Sequence, residues 1–402
     1  MTLAPYVTED RAPEELKKAV AELIELDAAL NANIPRSLRA PMIHLQRQVN
    51  SYYSNKIEGN LASPADVLRA RMSPADDEAA RDLLEIKRHI EAQARLSDDP
   101  IDASEITTRE SISRFHRELY RGLSEKHLYI KVDACGETTQ LIPGEIRIRG
   151  VSVGHHIPPS AERIGSFLTW FENAYRLNRL HGLAPLMAAA GAHHRLAWLH
   201  PFIDGNGRTG RLFTDEYLKA GGLKSYGLWT MNRGFGRDVD AYYSALKAAD
   251  HVRKGDLDGR GELSDSGLLK FTEYFITTAL DQVRFVSALL EPRTLTRRVD
   301  HYFQMRHQSA LPTASGLALP ILRIEALYVY RSLLERSSMG YLEIQARMGL
   351  GESTTHDLLS QMSSEGQVAI DEHGRVSIKL PWHFTMTIFP GLFDSSQPAG
   401  YG

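Results

Sequence analysis

Along most of this chain apolar residues recur every three or four positions, the spacing that lays one face of a helix against a core. Leu16, Val20, Leu23, Ile24 and Leu30 predict a helix over 13–33. A second begins near Arg39 with Ile43, Leu45 and Val49 and runs into Ser51-Tyr-Tyr-Ser-Asn-Lys-Ile-Glu-Gly-Asn60, where Gly59-Asn60 reads as a stop. Helices follow at 78–97, laced with opposite charges as a solvated helix would be, and at 105–123. Ile146, Ile148, Val151 and Val153 then alternate between Pro143-Gly144 and Pro158-Pro159, which predicts a β-hairpin flap within 135–159, set among helices. Helical spacing returns at 160–178, 184–199, 208–221, 238–250 and 266–290.

From Pro292 to Pro320 the periodicity weakens, and Leu-Pro-Thr-Ala-Ser-Gly (311–316) reads as a linker. Beyond it come helical patterns at 321–336, 341–348 and 352–364, then a candidate hairpin at 367–380 turning on Asp371-Glu-His-Gly374. Three helices and a hairpin suggest a winged helix-turn-helix. The expected fold is therefore mainly α: a helical core with a β-hairpin flap, plus a C-terminal winged helix-like domain. The expected organisation is an N-terminal helical region (1–100), a core (101–291), a connecting segment (292–320), the winged helix-like domain (321–385) and a tail (386–402).

Composition narrows the class. Hydrophobic content of 43% and charged content of 24% suit a globular protein, and 402 residues suggest two or three domains. A net charge of −3 argues against a generally basic nucleic-acid binder. Cys135 is the one cysteine, which excludes an intrachain disulfide framework and fits a reducing cytoplasm. The first ten residues lack a basic region followed by an apolar run, and no stretch has the unbroken apolar length of a membrane span. The expectation is a cytoplasmic protein without a membrane segment.

Chemistry concentrates in residues 200–211, His-Pro-Phe-Ile-Asp-Gly-Asn-Gly-Arg-Thr-Gly-Arg. An apolar helix ends at His200-Pro201 and another starts near Arg208, so Asp204-Gly-Asn-Gly207 lies at a helix N-terminus, where free N–H groups and the dipole attract anions. Glycine lets successive N–H groups converge into a nest. Arg208 and Arg211 add charge suited to phosphate, Asp204 is a hard oxygen ligand suited to Mg²⁺, and His200 titrates near neutrality and can serve as a base. Three other readings compete. Gly205-x-Gly207-x-x-Gly210 has dinucleotide-fingerprint spacing, but a helix precedes it and no acidic residue follows at 223–227. His193, His194, His200 and Asp204 suggest a transition metal, but adjacent helical histidines point to different faces, so core or supporting roles suit His193 and His194 better. A plain polar turn needs one glycine, not this whole run.

The run matches His-x-Phe-x-Asp/Glu-Gly-Asn-Gly-Arg-x-x-Arg at every defined position, and by it the chain resembles Fic-domain proteins, with supporting resemblance over roughly residues 50 to 290. The resemblance implies transfer of AMP from ATP, with Mg²⁺, to a Ser, Thr or Tyr hydroxyl of a target protein or of the chain itself. It assigns His200 as general base, Phe202 as anchor of the loop and Asp204 as the Mg²⁺ ligand. It also assigns Gly205, Asn206 and Gly207 to the anion nest, within a nucleotide-binding run that continues through Arg208, Thr209, Gly210 and Arg211. Residues 143–159, with Gly144, Arg147 and Gly154-His-His-Ile-Pro-Pro159, resemble the flap on which a target's extended segment pairs. There Arg149, Gly150 and Val151 would face the nucleotide, with plain hairpin structure as the alternative. Tyr242-Tyr-Ser-Ala-Leu-Lys-Ala-Ala-Asp250 resembles the segment closing the adenine pocket, though relatives commonly carry Asn at the place of Asp250, and Tyr242 and Tyr243 equally suit a core. Ser54-Asn-Lys-Ile-Glu58-Gly59 resembles the family's inhibitory motif, whose glutamate competes for the second motif arginine, here Arg211. Removal of AMP by the same site, or transfer of UMP, phosphocholine or phosphate, stays open. For the C-terminal unit, residues 352–365 contain no Lys or Arg, so DNA binding is disfavoured against target docking or formation of a homodimer.

Overall fold

The computed structural model describes residues 3–64, 67, 78–131, 138–152, 156–312 and 318–393. Among the described residues the chain opens with helices α1 (Glu14–Asn33), α2 (Arg36–Ile57), α3 (Glu78–Asp98) and α4 (Arg109–Tyr120). After an antiparallel hairpin of β1 (Tyr129–Lys131) and β2 (Thr138–Gln140) come α5 (Ala161–Tyr175), α6 (Ala184–Leu199), α7 (Asn206–Ala220), α8 (Met231–Arg237), α9 (Val239–Asp250) and α10 (Asp265–Leu289).

Helix α6 is the centre. Its sequence, APLMAAAGAHHRLAWL, is apolar on every face, and the helix is buried accordingly. Small residues let α5, α7, α9 and α10 pack closely around it. Gly191 is required there: a Cβ would overlap the backbone of Pro5, which crosses the helix at that point. Helix α2 lies across α3 and α8 and ends beside the start of α7. No helix among the described residues is long and apolar enough to cross a membrane.

Helix α11 (Pro292–Gln308) occupies most of the segment that the weak periodicity marks as a connection. Glu291 caps it, accepting from the N–H groups of Arg293 and Thr294, and Pro292 sits where its missing donor is harmless. Leu311 and Pro312, the first two residues of the expected linker at 311–316, form β3 (Leu311–Pro312), paired with β4 (Ala318–Leu319); residues 313–316 of that linker lie outside the described residues. Then follow α12 (Glu325–Glu335), β5 (Met339–Gly340), α13 (Tyr341–Met348), α14 (Glu352–Ser364), β6 (Val368–Ile370), β7 (Arg375–Ile378) and α15 (Trp382–Ile388), with the strands antiparallel in the order β5-β7-β6. The expected tail from 386 is not free of the fold up to 393: Ile388, Phe389, Leu392 and Phe393 are buried, and Phe393 packs edge-on against Tyr52 of α2.

The expected strand alternation at 146–153 is absent over its described part, 146–152; the hairpin lies upstream in β1 and β2. Burial runs opposite to the apolar pattern, with Arg147 buried and Ile148 83% exposed. The Arg147 guanidinium donates to the carbonyls of Pro159 (2.6 Å), Arg149 (2.8 Å) and His200 (2.8 Å), so side-chain bonds to carbonyls hold this segment in place of a ladder. Residues 135–137 and 153–155 of the expected flap, Cys135 and Gly154 among them, lie outside the described residues.

Candidate active site

His200 closes α6 in the left-handed region (φ 47°), the one non-glycine with positive φ among the described residues. A β-carbon makes that conformation costly, so neighbours must hold it. The Arg147 guanidinium grips the His200 carbonyl, and the Arg147 N–H donates to Pro201 O (3.0 Å). The Asn206 amide then braces the turn from both sides, accepting from Phe202 N–H (2.9 Å) and donating to Phe202 O (2.8 Å). Phe202 is buried and stacks on His116 with centroids 4.0 Å apart. The loop is thus rigid before anything binds. Burial, with the nearby Arg147 charge, pushes the His200 imidazole down to about 4, although hydrogen bonding to Ala197 and the charge of Glu58 act the other way. His200 is neutral at physiological pH, with its basic form available.

Gly205 starts α7 at φ 71°, and a Cβ there would overlap the Tyr120 hydroxyl. A Cβ on Gly207 would overlap Glu58 Oε1. The Glu58 carboxylate therefore lies directly over the glycine nest at the N-terminus of α7. The same Oε1 accepts from Arg211 Nη2 at 2.5 Å, while Ser54 takes two more bonds from that guanidinium, Nε to Oγ and Nη2 to the carbonyl, both 2.9 Å. Burial alone would lower the Arg211 pKa, yet Glu58 and its hydrogen bond hold it above its ordinary value. Ser54 lies in the last turn of α2 and Glu58 caps it, and at i,i+4 both reach Arg211. The Tyr243 hydroxyl fastens the end of that helix by donating to Ile57 O (3.1 Å).

Arg208 and Asp204 turn the other way. Arg208 Nη1 pairs with Glu85 Oε2 of α3 at 2.8 Å, and its guanidinium sits 5.8 Å from the Tyr120 ring centroid. The Tyr120 hydroxyl donates to Asp204 Oδ2 (3.0 Å). His116 Nδ1 accepts from Gly144 N–H (2.7 Å), which leaves Nε2 to donate to Asp204 O (3.2 Å). Burial pushes His116 down to about 4, in keeping with that neutral tautomer. Glu85, His116 and Tyr120 belong to this site without standing out in the sequence, and Arg147, which the sequence marks only as part of the flap, braces the His200 turn. The one available signal was His116 and Tyr120 at i,i+4 on the face of α4 turned to the motif loop.

Glu58, His200, Gly207, Arg211, Tyr242, Tyr243 and Asp250 line one cavity of about 580 Å³, together with Trp198, Leu246 and His156. Arg149 and Gly150 are exposed and Val151 half-buried, all outside that lining; from the flap it is His156 and Ile157 that reach it. Thr209 and Gly210 are both buried in α7, with room for a Cβ at Gly210. Tyr242 serves the core as well, its hydroxyl meeting His193 Nε2 at 2.9 Å, while His193 Nδ1 meets Thr214 Oγ1 at 2.7 Å. His194 Nε2 pairs with Asp250 Oδ1 at 3.1 Å. The two adjacent histidines are satisfied separately, His193 in the core and His194, bonded to Asp250, on the wall of the cavity.

A profile of the Fic/DOC family matches residues 106–218, the stretch from α4 to the end of α7 that builds this loop. Protein adenylyltransferase Fic of Drosophila grimshawi is 30% identical over 209 residues, 51% of this chain and 38% of that protein. The same-named protein of Drosophila erecta is also 30% identical over 209 residues, 51% of this chain and 37% of that protein. This chain thus spans under two fifths of the length of those curated relatives. A solved Fic family protein of Desulfovibrio desulfuricans superposes over 94% of this chain and 98% of its own, with TM-score 0.52 and 16% identity, which is likeness of fold.

Proposed function

We propose, from the match of residues 106–218 to the Fic/DOC family, that this chain transfers AMP from ATP to a Ser, Thr or Tyr hydroxyl of a protein, its own or another's. The incoming hydroxyl gives its proton to neutral His200 while its oxygen bonds to the α-phosphorus. The bond from that phosphorus to the bridging oxygen breaks, and pyrophosphate leaves. Arg211 and the nest at Gly207 receive the outer phosphates, and Arg208 joins them when it exchanges Glu85 for phosphate. Asp204, a hard carboxylate with its side chain 42% exposed, suits Mg²⁺, an ion that takes one or two carboxylates and fills its shell with water and phosphate oxygens. Bound there, Mg²⁺ supplies charge neutralisation on the phosphates. The base has the far wall of the cavity, where Leu246 and Tyr243 offer apolar surface and Asp250 an acceptor.

One observation carries this reading: the chain's own carboxylate, Glu58, occupies an anion nest and the arginine beside it. Glu58 is then an internal brake that keeps phosphates from seating. Glu58→Gly is expected to raise self-labelling from [α-³²P]ATP by tenfold or more, equivalent to about 1.4 kcal/mol, and His200→Ala to abolish it. Unchanged labelling in Glu58→Gly would overturn the brake. Because Glu58 and His200 line the same cavity, the carboxylate also has the position to orient a water for AMP removal; equal AMP release from modified protein by wild type and Glu58→Gly would exclude that role.

The same reading takes 321–385 as a winged helix-like domain for docking a target or a second copy. Helix α14, which stands third among its helices, has no Lys or Arg for phosphates. A mobility shift at low salt that depends on residues 321–380 would restore DNA as the partner. The single cysteine fits a reducing cytoplasm, which this reading takes as the protein's location.

A further inference from the structure

Arg195 is wholly buried in α6, and among the described residues no carboxylate bonds to its guanidinium. Carbonyls and one imidazole take its hydrogens instead. Nε and Nη2 donate to Ala4 O (3.2 and 3.1 Å), in the arm that precedes α1. Nη1 donates to His194 Nδ1 (3.0 Å) and reaches Ala249 O (3.5 Å). The arm is itself pinned at this point, since the Tyr175 hydroxyl donates to Pro5 O (2.5 Å) and Pro5 crosses α6 at Gly191.

A guanidinium has donors only, so His194 Nδ1 is the accepting nitrogen and Nε2 carries the ring proton. Nε2 in turn faces two acceptors, Asp250 Oδ1 (3.1 Å) and Leu246 O (3.2 Å). Both sides of the ring thus call for the same tautomer. Through that ring the buried Arg195 charge meets a counter-ion in Asp250. Asp250 lines the cavity that holds Glu58 and His200, with its side chain 29% exposed. Burial alone would raise its pKa, yet the bond from His194 and nearby cationic groups, Arg195 among them, hold it below the ordinary value. One carboxylate oxygen is committed to His194. The other can accept a hydrogen bond and has none to offer.

We propose that Arg195 is a positioning residue that sets the nucleobase specificity of this cavity. By fixing the His194 tautomer it keeps Asp250 an acceptor-only edge, which selects a base presenting an exocyclic N–H, such as the 6-amino group of adenine, over one that lacks it. The ligand class rests on the transferase reading. Without the Arg195 donor the ring is free to take its other tautomer, which turns a lone pair on Asp250 and releases the carboxylate.

The test reads binding, so it does not depend on transfer. Full-length Glu58→Gly is titrated by calorimetry, with Mg²⁺, against ATP and against purine riboside triphosphate, which lacks only the 6-amino group. ATP is expected to bind about tenfold or more tightly, the scale of one hydrogen bond to a charged acceptor. In Asp250→Asn/Glu58→Gly the one amide oxygen goes to the His194 N–H and the NH₂ faces the base, so the ratio should fall below about threefold. Arg195→Met/Glu58→Gly is expected to lose the ratio likewise. Arg195→Lys/Glu58→Gly keeps a cationic donor and is expected to retain most of it, which separates positioning from packing. In parallel, the ¹⁵N-histidine spectrum of the wild type, assigned through His194→Gln, is expected to show His194 protonated at Nε2. Equal affinities in Glu58→Gly overturn the selection, and a ratio retained in Arg195→Met overturns the part played by Arg195. A His194 protonated at Nδ1 overturns it too, even if Arg195→Met fails to fold. If neither nucleotide binds Glu58→Gly, the transferase reading fails, while the spectrum still decides whether Arg195 fixes the ring.

Discussion

His200 and Arg208 make the sharpest claims about single side chains. With burial pushing the His200 imidazole down to about 4, its basic form persists well below neutrality and is lost only as pH falls through that value. Self-labelling of Glu58→Gly at subsaturating ATP should therefore stay flat from pH 8 to about 5, since that rate constant reports ionisations of the free enzyme. An acid limb near the ordinary histidine value, about 6.5, would show that the turn leaves His200 exposed to water. Arg208 makes a second claim. Its partner Glu85 repels the phosphates it must receive, so Glu85→Gln in the Glu58→Gly background should lower KM for ATP severalfold, by roughly 0.5–1 kcal/mol, the scale of a partly exposed pair. A higher KM would instead make Glu85 a positioning residue for Arg208. The chemistry of 200–211 was legible because glycines, arginines and a base stand in one short run. Glu85 was not, because its meaning depends on α3 packing beside α4.

Among elements, most helices were readable from their apolar stripe, even where a charge is buried in them, but two segments that bury an arginine were not. Helix α11 buries Leu295, Val299, Tyr302, Phe303 and Arg306. That spacing is helical, but the arginine breaks the apolar reading, and its burial is explained by partners distant in sequence: Glu365 through two bonds of 2.7 and 3.0 Å and the Pro320 carbonyl at 2.6 Å. Arg147 misled the reading of the flap for the same reason. The junction of α2 and α7 yields a test of such burial. Asp215 is buried, and loss of solvation pushes it up to about 6 despite its bonds from Tyr226 and Asn50 and the nearby Lys219, with Glu216 acting in the same direction as burial. The folded state thus holds this proton between about pH 4 and 6 while the unfolded chain releases it, so this residue makes stability fall as pH rises through that window, by up to about 3 kcal/mol. Asp215→Asn should remove that slope from urea unfolding measured at pH 4 and pH 7; an unchanged slope would mean that water reaches the carboxylate.

At the scale of the whole molecule, α2 joins two parts that the sequence presents as separate. Its first turn meets the C-terminal unit, where Ser37 Oγ donates to Leu334 O (2.9 Å), and a later turn meets Phe393 through Tyr52. The chain end is held there by buried Arg233, which donates to Gly391 O (2.6 Å) and Gln282 Oε1 (2.9 Å) and lies 3.7 Å from the Phe285 ring centroid. Helix α8, which carries Arg233, itself packs on α2. Arg233→Ala leaves the Gly391 carbonyl and the Gln282 amide without their donor and should cost about 2–4 kcal/mol in urea unfolding. Its second effect follows from position. With Phe393 released from Tyr52, α2 loses a support less than two turns before Glu58, and the Glu58–Arg211 clasp opens more often. Self-labelling should then rise in Arg233→Ala relative to wild type, yet not in Arg233→Ala/Glu58→Gly relative to Glu58→Gly, because the second pair has no brake to lose. If limited proteolysis shows residues 389–393 freed while labelling is unchanged, the C-terminal unit and the clasp are mechanically independent, and α2 is held against α7 by its own contacts alone.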